Sequence, residues 1–150
     1  MKKELKHIDL VNNQQIEFCR KLGIDVTGDT VSLAAAKIYG IMRRDFFGEE
    51  LGRPSEKQIA LAKKFGFDIS QCSQIEGNAI IDDLMSELNH ESIEKQKLGP
   101  GVEVINKWDD LKRVYTISSI REDGLVFFKG GNGKKAWARN LERIESEHGA

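Results

Sequence analysis

The sequence predicts an α+β chain in which two copies of a small helical hairpin precede a compact all-β unit. Three observations carry that expectation. An internal repeat runs through the first half at a constant offset of 43 residues (Gln15 to Gln58), a polar stretch ends at Gly99-Pro100-Gly101, and beyond it the apolar period changes from helical to two. These place a helical-repeat domain at residues 12–90, with copies at 12–42 and 55–88, and a β domain at 98–145.

The repeat is a series of matched roles. Gln15-Ile16 corresponds to Gln58-Ile59, Leu22-Gly23 to Phe65-Gly66, and Asp25-Val26 to Asp68-Ile69. Thr30 corresponds to Ser73, Ile38 to Ile81 and Met42 to Met85. Asn12 with Gln15, and Ser55 with Gln58, have capping-box spacing, and Pro54 stops any earlier helix from running on. Ile16, Cys19 and Leu22, like Ile59, Ala62 and Phe65, give each first helix one apolar face. Gly23 and Gly66 stand where a left-handed residue ends a helix, with Ile24 and Phe67 placed for the accompanying apolar contact.

After a short extended stretch, Thr30 and Ser73 cap the second helices. The first copy carries Val31, Ala34, Ala35, Ile38, Ile41 and Met42 as its stripe; the second carries Ile81, Leu84, Met85 and Leu88. Neither hairpin is large enough to bury its stripe alone, so the copies are expected to pack on one another. Residues 39–53, with the Phe46-Phe47 pair, form the joint.

Beyond the break, Val102 and Val104 alternate with Glu103. Residues 114–120 are β-branched and aromatic and lead to the hairpin turn Glu122-Asp123-Gly124. Residues 125–129 make another strand, Gly130-Gly131-Asn132-Gly133 turns the chain, residues 136–139 make a further strand, and Asn140-Leu141-Glu142-Arg143-Ile144 closes the unit.

The helix–Gly–extended–helix plan resembles the helix-extended-loop-helix modules of the SAP and Rho N-terminal kind. The stretch PSEKQIALAKKFGFDIS also looks like short modules appended to phage recombination and replication proteins. Strands of this number and length within residues 98–144 resemble an SH3-like barrel of the KOW and Tudor branch: a Pro-Gly opening, a long hairpin, a glycine turn and an Asn-Leu exit. Together the resemblances imply a nucleic-acid-binding accessory protein of a phage or mobile element.

Composition narrows the function classes. At 39% hydrophobic and 31% charged residues the chain has enough apolar material for packed cores. A net charge of -1 excludes a globally basic nucleic-acid coat and leaves room for a local basic patch. Two distant cysteines, Cys19 and Cys72, fit a reducing compartment, and with neither a membrane-length apolar run nor a signal-peptide core a cytoplasmic location is expected. His7, His90 and His148 are isolated, so neither a catalytic residue nor a metal ligand is expected, and no cofactor or small-molecule substrate. The 130–135 turn lacks the P-loop pattern and reads as a hairpin turn.

Two surfaces remain as candidate sites. Residues 129–143 hold Lys129, Lys134, Lys135, Arg139 and Arg143 against Glu142 alone, an excess of four positive charges, with Trp137 among them and Trp108, Tyr115, Phe127 and Phe128 nearby in sequence. Cations interleaved with aromatics suit phosphate neutralisation and base stacking, so DNA or RNA is the expected partner. Whether Trp137 or the alanines beside it, Ala136 and Ala138, face the core is left open by strand alternation alone, and an aromatic cage for a methylated cation is a further option. The other surface is acidic: Asp82, Asp83, Glu87, Glu91 and Glu94 put like charges along one helix. A solvated face is the plain reading; the alternative is a protein–protein inhibitor or adaptor, of anti-defence or anti-CRISPR type, whose stripe mimics nucleic acid in a partner's groove.

Overall fold

The computed structural model describes residues 2–130 and 133–145. The centre of the glycine turn, Gly131 and Asn132, and His148 lie outside the described residues. Four helices precede a five-stranded antiparallel sheet, an α+β chain. It divides into two compact units, Met1–Leu84 and Met85–Ala150.

In the first unit the repeat is reproduced down to single hydrogen bonds. Helix α1, Asn13–Lys21, begins at a reciprocal capping box: Gln15 N–H donates to Asn12 Oδ1 and Asn12 N–H to Gln15 Oε1, both at 2.8 Å. Helix α3, Glu56–Lys64, begins with the same exchange between Ser55 and Gln58. Both end alike. Gly23 N–H donates to Arg20 O and Ile24 N–H to Cys19 O, and Gly66 and Phe67 repeat this with Lys63 and Ala62. That closure needs a left-handed residue, and Gly23 and Gly66 have φ of 78° and 84°. In the stretches that follow, Asp25 Oδ1 accepts from Thr27 N–H and Asp68 Oδ1 from Ser70 N–H, a further matched pair.

Thr30 caps helix α2, Val31–Ile41, and Ser73 caps helix α4, Gln74–Gln96. Cys19, Ile24, Val26 and Ala34 form the core of the first copy, and their partners' positions in the second copy supply buried Ala62 and Ile69, with Leu84 matching Ile41. Four residues of the expected apolar stripes are instead exposed: Ala35, Leu22, Val31 and Met42. Ala35 lies within α2 on its solvent side, and the other three stand at helix ends. Leu22 is the C-cap of α1, Val31 the first residue of α2, and Met42 opens the π-helical turn Met42–Phe46 that continues α2 into the joint.

Helix α4 runs to Gln96, eight residues past the boundary expected at Leu88, and the division between the units falls within it. Its residues from Met85 onward belong with strands β1 (Glu103–Asn106), β2 (Val114–Ile120), β3 (Leu125–Phe128), β4 (Lys135–Trp137) and β5 (Leu141–Arg143). The strand order is β4-β3-β2-β1-β5 and the sheet is not closed. Leu98, Val104, Ile117, Val126, Ala138 and Leu141 form the core, with Ile93 of α4, Tyr115 and Phe128 packed against it.

The strand expected at 136–139 stops at Trp137, and a 3₁₀ turn, Ala138–Asn140, leads directly into β5. This turn and β5 take their partners from the side chains of α4. Ser92 Oγ donates to Ala138 O, Gln96 Nε2 to Leu141 O, Arg143 N–H to Gln96 Oε1 and Arg139 N–H to Asn89 Oδ1. The polar sequence that reads as a linker is thus a helix face that satisfies backbone groups β4 and β5 leave unpaired. His90 braces the same unit, its ring nitrogens 2.8 Å from Ser86 O and 3.0 Å from Glu122 O. Among the described residues no helix is long and apolar enough to cross a membrane.

Candidate nucleic-acid interface

Strand register assembles the site. Tyr115 and Ile117 share a face of β2, and Phe128 pairs with Ile117, so Phe128 is the diagonal neighbour of Tyr115. A register shift between Ile117 and Ser119 holds this arrangement against the rest of β3. The two rings stack at 4.7 Å between centroids, 16° from parallel. Lys134 lies beside Phe128 in the next hairpin limb, its O accepting from Phe128 N–H, and its ammonium stands 5.4 Å from the Tyr115 ring centre.

The β1–β2 loop forms the opposite wall. Asn106 Oδ1 accepts from Trp108 N–H, and Trp108 Nε1 donates to Asn140 Oδ1 at 3.1 Å. The indole is tethered by its edge yet 78% exposed. Asp109 organises the loop: Oδ1 accepts from Leu111 N–H, and Oδ2 from Arg113 N–H and Arg113 Nε. Burial works against the Asp109 carboxylate, but the amides of Arg113 and Leu111 and the Arg113 guanidinium outweigh it and hold its pKa below the usual range. The result is a groove of about 330 Å³ lined by Trp108, Tyr115, Phe128, Arg113, Lys134 and Lys135, with Asp109, Asn106 and Ala136 completing it.

Of the six residues expected at a nucleic-acid site, the structure brings Lys134 and Lys135 into this groove and sends the others elsewhere. Lys129 is exposed beyond the end of β3. Arg143 donates from Nη1 to Gln96 O and Lys97 O at the end of α4. Arg139 donates from Nη1 to Asn89 Oδ1, and burial lowers the pKa of its guanidinium. The orientation left open for Trp137 resolves as follows: Ala138 is fully buried and Ala136 packs on the core, while Trp137 is half-buried outside the core cluster with the Arg139 guanidinium 5.3 Å from its ring centre. Trp137 thus keeps part of its surface in water and lies outside the lining of the groove. Arg113 and Asp109 escaped the sequence reading; the one signal for them was an Asp followed at two and four residues by loop amides it could cap.

The acidic stripe is not a continuous solvent face. Asp83 is 5% exposed and accepts from Thr30 Oγ1 at 2.5 Å and Ser32 Oγ at 2.6 Å, while Glu87 is fully buried. Asp82 and Glu94 are exposed and Glu91 half-buried. Desolvation and the neighbouring Asp83 charge push the Asp82 pKa up. The surface expected to mimic nucleic acid thus gives up two carboxylates to the interior. Among the described residues, no group of three or more His, Cys, Asp or Glu side chains is placed to hold a metal ion.

No protein-family model, curated protein or solved structure matches the chain.

Proposed function

We propose that the chain is a non-catalytic nucleic-acid-binding accessory protein whose contact surface is the groove between the β1–β2 loop and the β3–β4 hairpin. The observation that carries this reading is the meeting of three cations, Arg113, Lys134 and Lys135, with three aromatic rings, Trp108, Tyr115 and Phe128, in one concavity. Among the described residues of the lining, Asp109 alone opposes them in charge. Phosphate neutralisation with ring stacking uses this combination, and a chain of near-neutral net charge needs it concentrated in one place.

The order β4-β3-β2-β1-β5, with β1 shared between β2 and β5, supports an SH3-like barrel of the KOW and Tudor branch as the finer architecture. The matched caps and glycine closures of the first unit support tandem modules of the SAP and Rho N-terminal kind, as carried by phage and mobile-element proteins.

The test is an electrophoretic shift series with DNA and RNA at several salt concentrations. The doubly charge-reversed variant, Lys134→Glu with Lys135→Glu, should lose at least about tenfold in affinity and flatten the salt dependence. Affinity unchanged by that double reversal would reject the groove as the contact surface.

A further inference from the structure

We infer that the groove takes an unstacked base of a single-stranded polynucleotide, with Trp108 as its platform and little preference for sequence. The inference rests on the nucleic-acid reading of this groove and adds the strand form and the manner of recognition.

Shape supplies the first reason. The rings sit in a concavity of about 330 Å³ between a loop and a hairpin, on the scale of one small ligand. In a duplex the faces of the bases are covered by their neighbours and only edges reach the grooves. Ring faces that line such a concavity are met most fully by a base that has left the stack.

The state of the rings supplies the second. Trp108 is fixed at one edge by Asn140 while most of its surface stays in water. An indole so tethered loses little conformational freedom on stacking. Tyr115 and Phe128 are packed against the core and form the floor, and the outer face of Tyr115 carries the Lys134 ammonium. A base entering over Tyr115 displaces that ammonium, which then lies within reach of the phosphate joined to the same nucleotide. Stacking and phosphate neutralisation are coupled through one lysine.

Reading a base edge needs free donors and acceptors. Asn106 Oδ1, Asn140 Oδ1 and both Asp109 oxygens are engaged inside the protein. With these acceptors held inside the protein, ring faces and positive charge supply most of the contact with a base, and every base has a π face.

The chain has two tryptophans, so Trp137→Phe leaves Trp108 as the sole indole reporter. That variant is titrated with oligothymidylate, oligouridylate and mixed-sequence strands of about ten nucleotides, and with a blunt duplex, following emission alongside a shift assay. Trp108 emission should be quenched by single strands of either sugar, with affinities within about fivefold across sequences and at least about tenfold weaker for duplex. Trp108→Ala should weaken single-strand binding about 5- to 100-fold, and Trp108→Phe should restore most of it. Single strands that bind in the shift assay without quenching Trp108, or a duplex bound equally well, would overturn the inference and leave the nucleic-acid reading standing. Absence of binding to every polynucleotide would remove both.

Discussion

Asn89 and Gly124 are in such close approach that a methyl group on the glycine would lie 2.4 Å from the asparagine Cβ. The contact is built from both sides. Gly124 sits at φ 93°, where a side chain is strained in any case, and Asn89 is 1% exposed on α4. From there its amide donates to Asp123 O and accepts from Arg139 N–H and Arg139 Nη1. One side chain thus ties the β2–β3 turn to the turn before β5. Gly124→Ala combines left-handed strain with overpacking and should destabilise the second unit by about 2–5 kcal/mol. Asn89→Ala should cost about 2–4 kcal/mol, because it leaves a buried carbonyl and amide unpaired. Urea unfolding followed by circular dichroism reads both, and a loss below about 1 kcal/mol in either variant would contradict the packing described.

In the first unit the corresponding junction is Asp83 with Thr30. The Asp83 carboxylate receives the hydroxyls of Thr30 and Ser32 at the start of α2, where the helix N-terminus favours negative charge. Thr30 Oγ1 at the same time caps α2 by accepting from Leu33 N–H. Asp83→Ala should cost about 2–4 kcal/mol and Asp83→Asn about 1–2 kcal/mol, since the amide keeps one acceptor. Thr30→Val should cost a similar amount by losing cap and bond together. The double variant Thr30→Val with Asp83→Ala should cost less than the sum of the singles, because both remove the same bond. Strict additivity in a double-mutant cycle would show that the two residues do not act as a pair.

Local rules act over three or four residues, and where they suffice the sequence was legible. Both capping boxes, both glycine closures and the caps Thr30 and Ser73 appear where their spacing predicts. The strands carrying alternation were legible too. What escaped was set by partners distant in sequence. Ser92 and Gln96 look like linker residues because they are polar, and they are helical because the strand ends of the second unit need their hydroxyl and amide. Asp83 and Glu87 look like a solvated stripe until the fold buries them. The groove was hidden for the same reason: the β2–β3 register sets Phe128 beside Tyr115 and a bond to Asn140 tethers Trp108, while of the cations around Trp137, Lys134 and Lys135 enter the groove, Arg139 lies over the Trp137 ring and Arg143 binds the end of α4.

Lys97 ends α4 with φ 52°, a position where glycine is the usual occupant. Its amide donates to Glu94 O and its carbonyl accepts from Arg143 Nη1, contacts that any residue can make. Left-handed backbone costs a non-glycine residue roughly 1–2 kcal/mol, and glycine's greater freedom in the unfolded chain offsets roughly 0.5–1 kcal/mol of that. Lys97→Gly should therefore raise stability by about 0.5–1 kcal/mol. Thermal unfolding checks the sign: a lower midpoint for the glycine variant would mean the lysine side chain contributes more than the backbone strain removes.

Asp109 offers the sharpest electrostatic test, because among the described residues it is the one carboxylate lining the groove and it holds the Arg113 guanidinium at 3.2 Å. Its pKa is depressed, so it is ionised above the ordinary carboxylate value of about 3.9 and stays so until the pH falls through the lower folded value. Any stability from the depression is complete above about pH 4 and is lost only below it. Between pH 5 and 8 the carboxylate therefore subtracts one charge from the groove at every pH. Asp109→Asn keeps an acceptor for the loop amides while removing that charge and releasing Arg113 toward a phosphate. Single-strand affinity at low salt should rise a few-fold, and the slope of log affinity against log salt should steepen by about 0.7, the value for one further phosphate neutralised. The gain should be equal at pH 5.5 and pH 8 and should vanish at high salt. Fluorescence anisotropy titrations across salt and pH measure it, and an unchanged slope with weakened binding would assign Asp109 a role in holding the loop rather than in tuning the charge of the site.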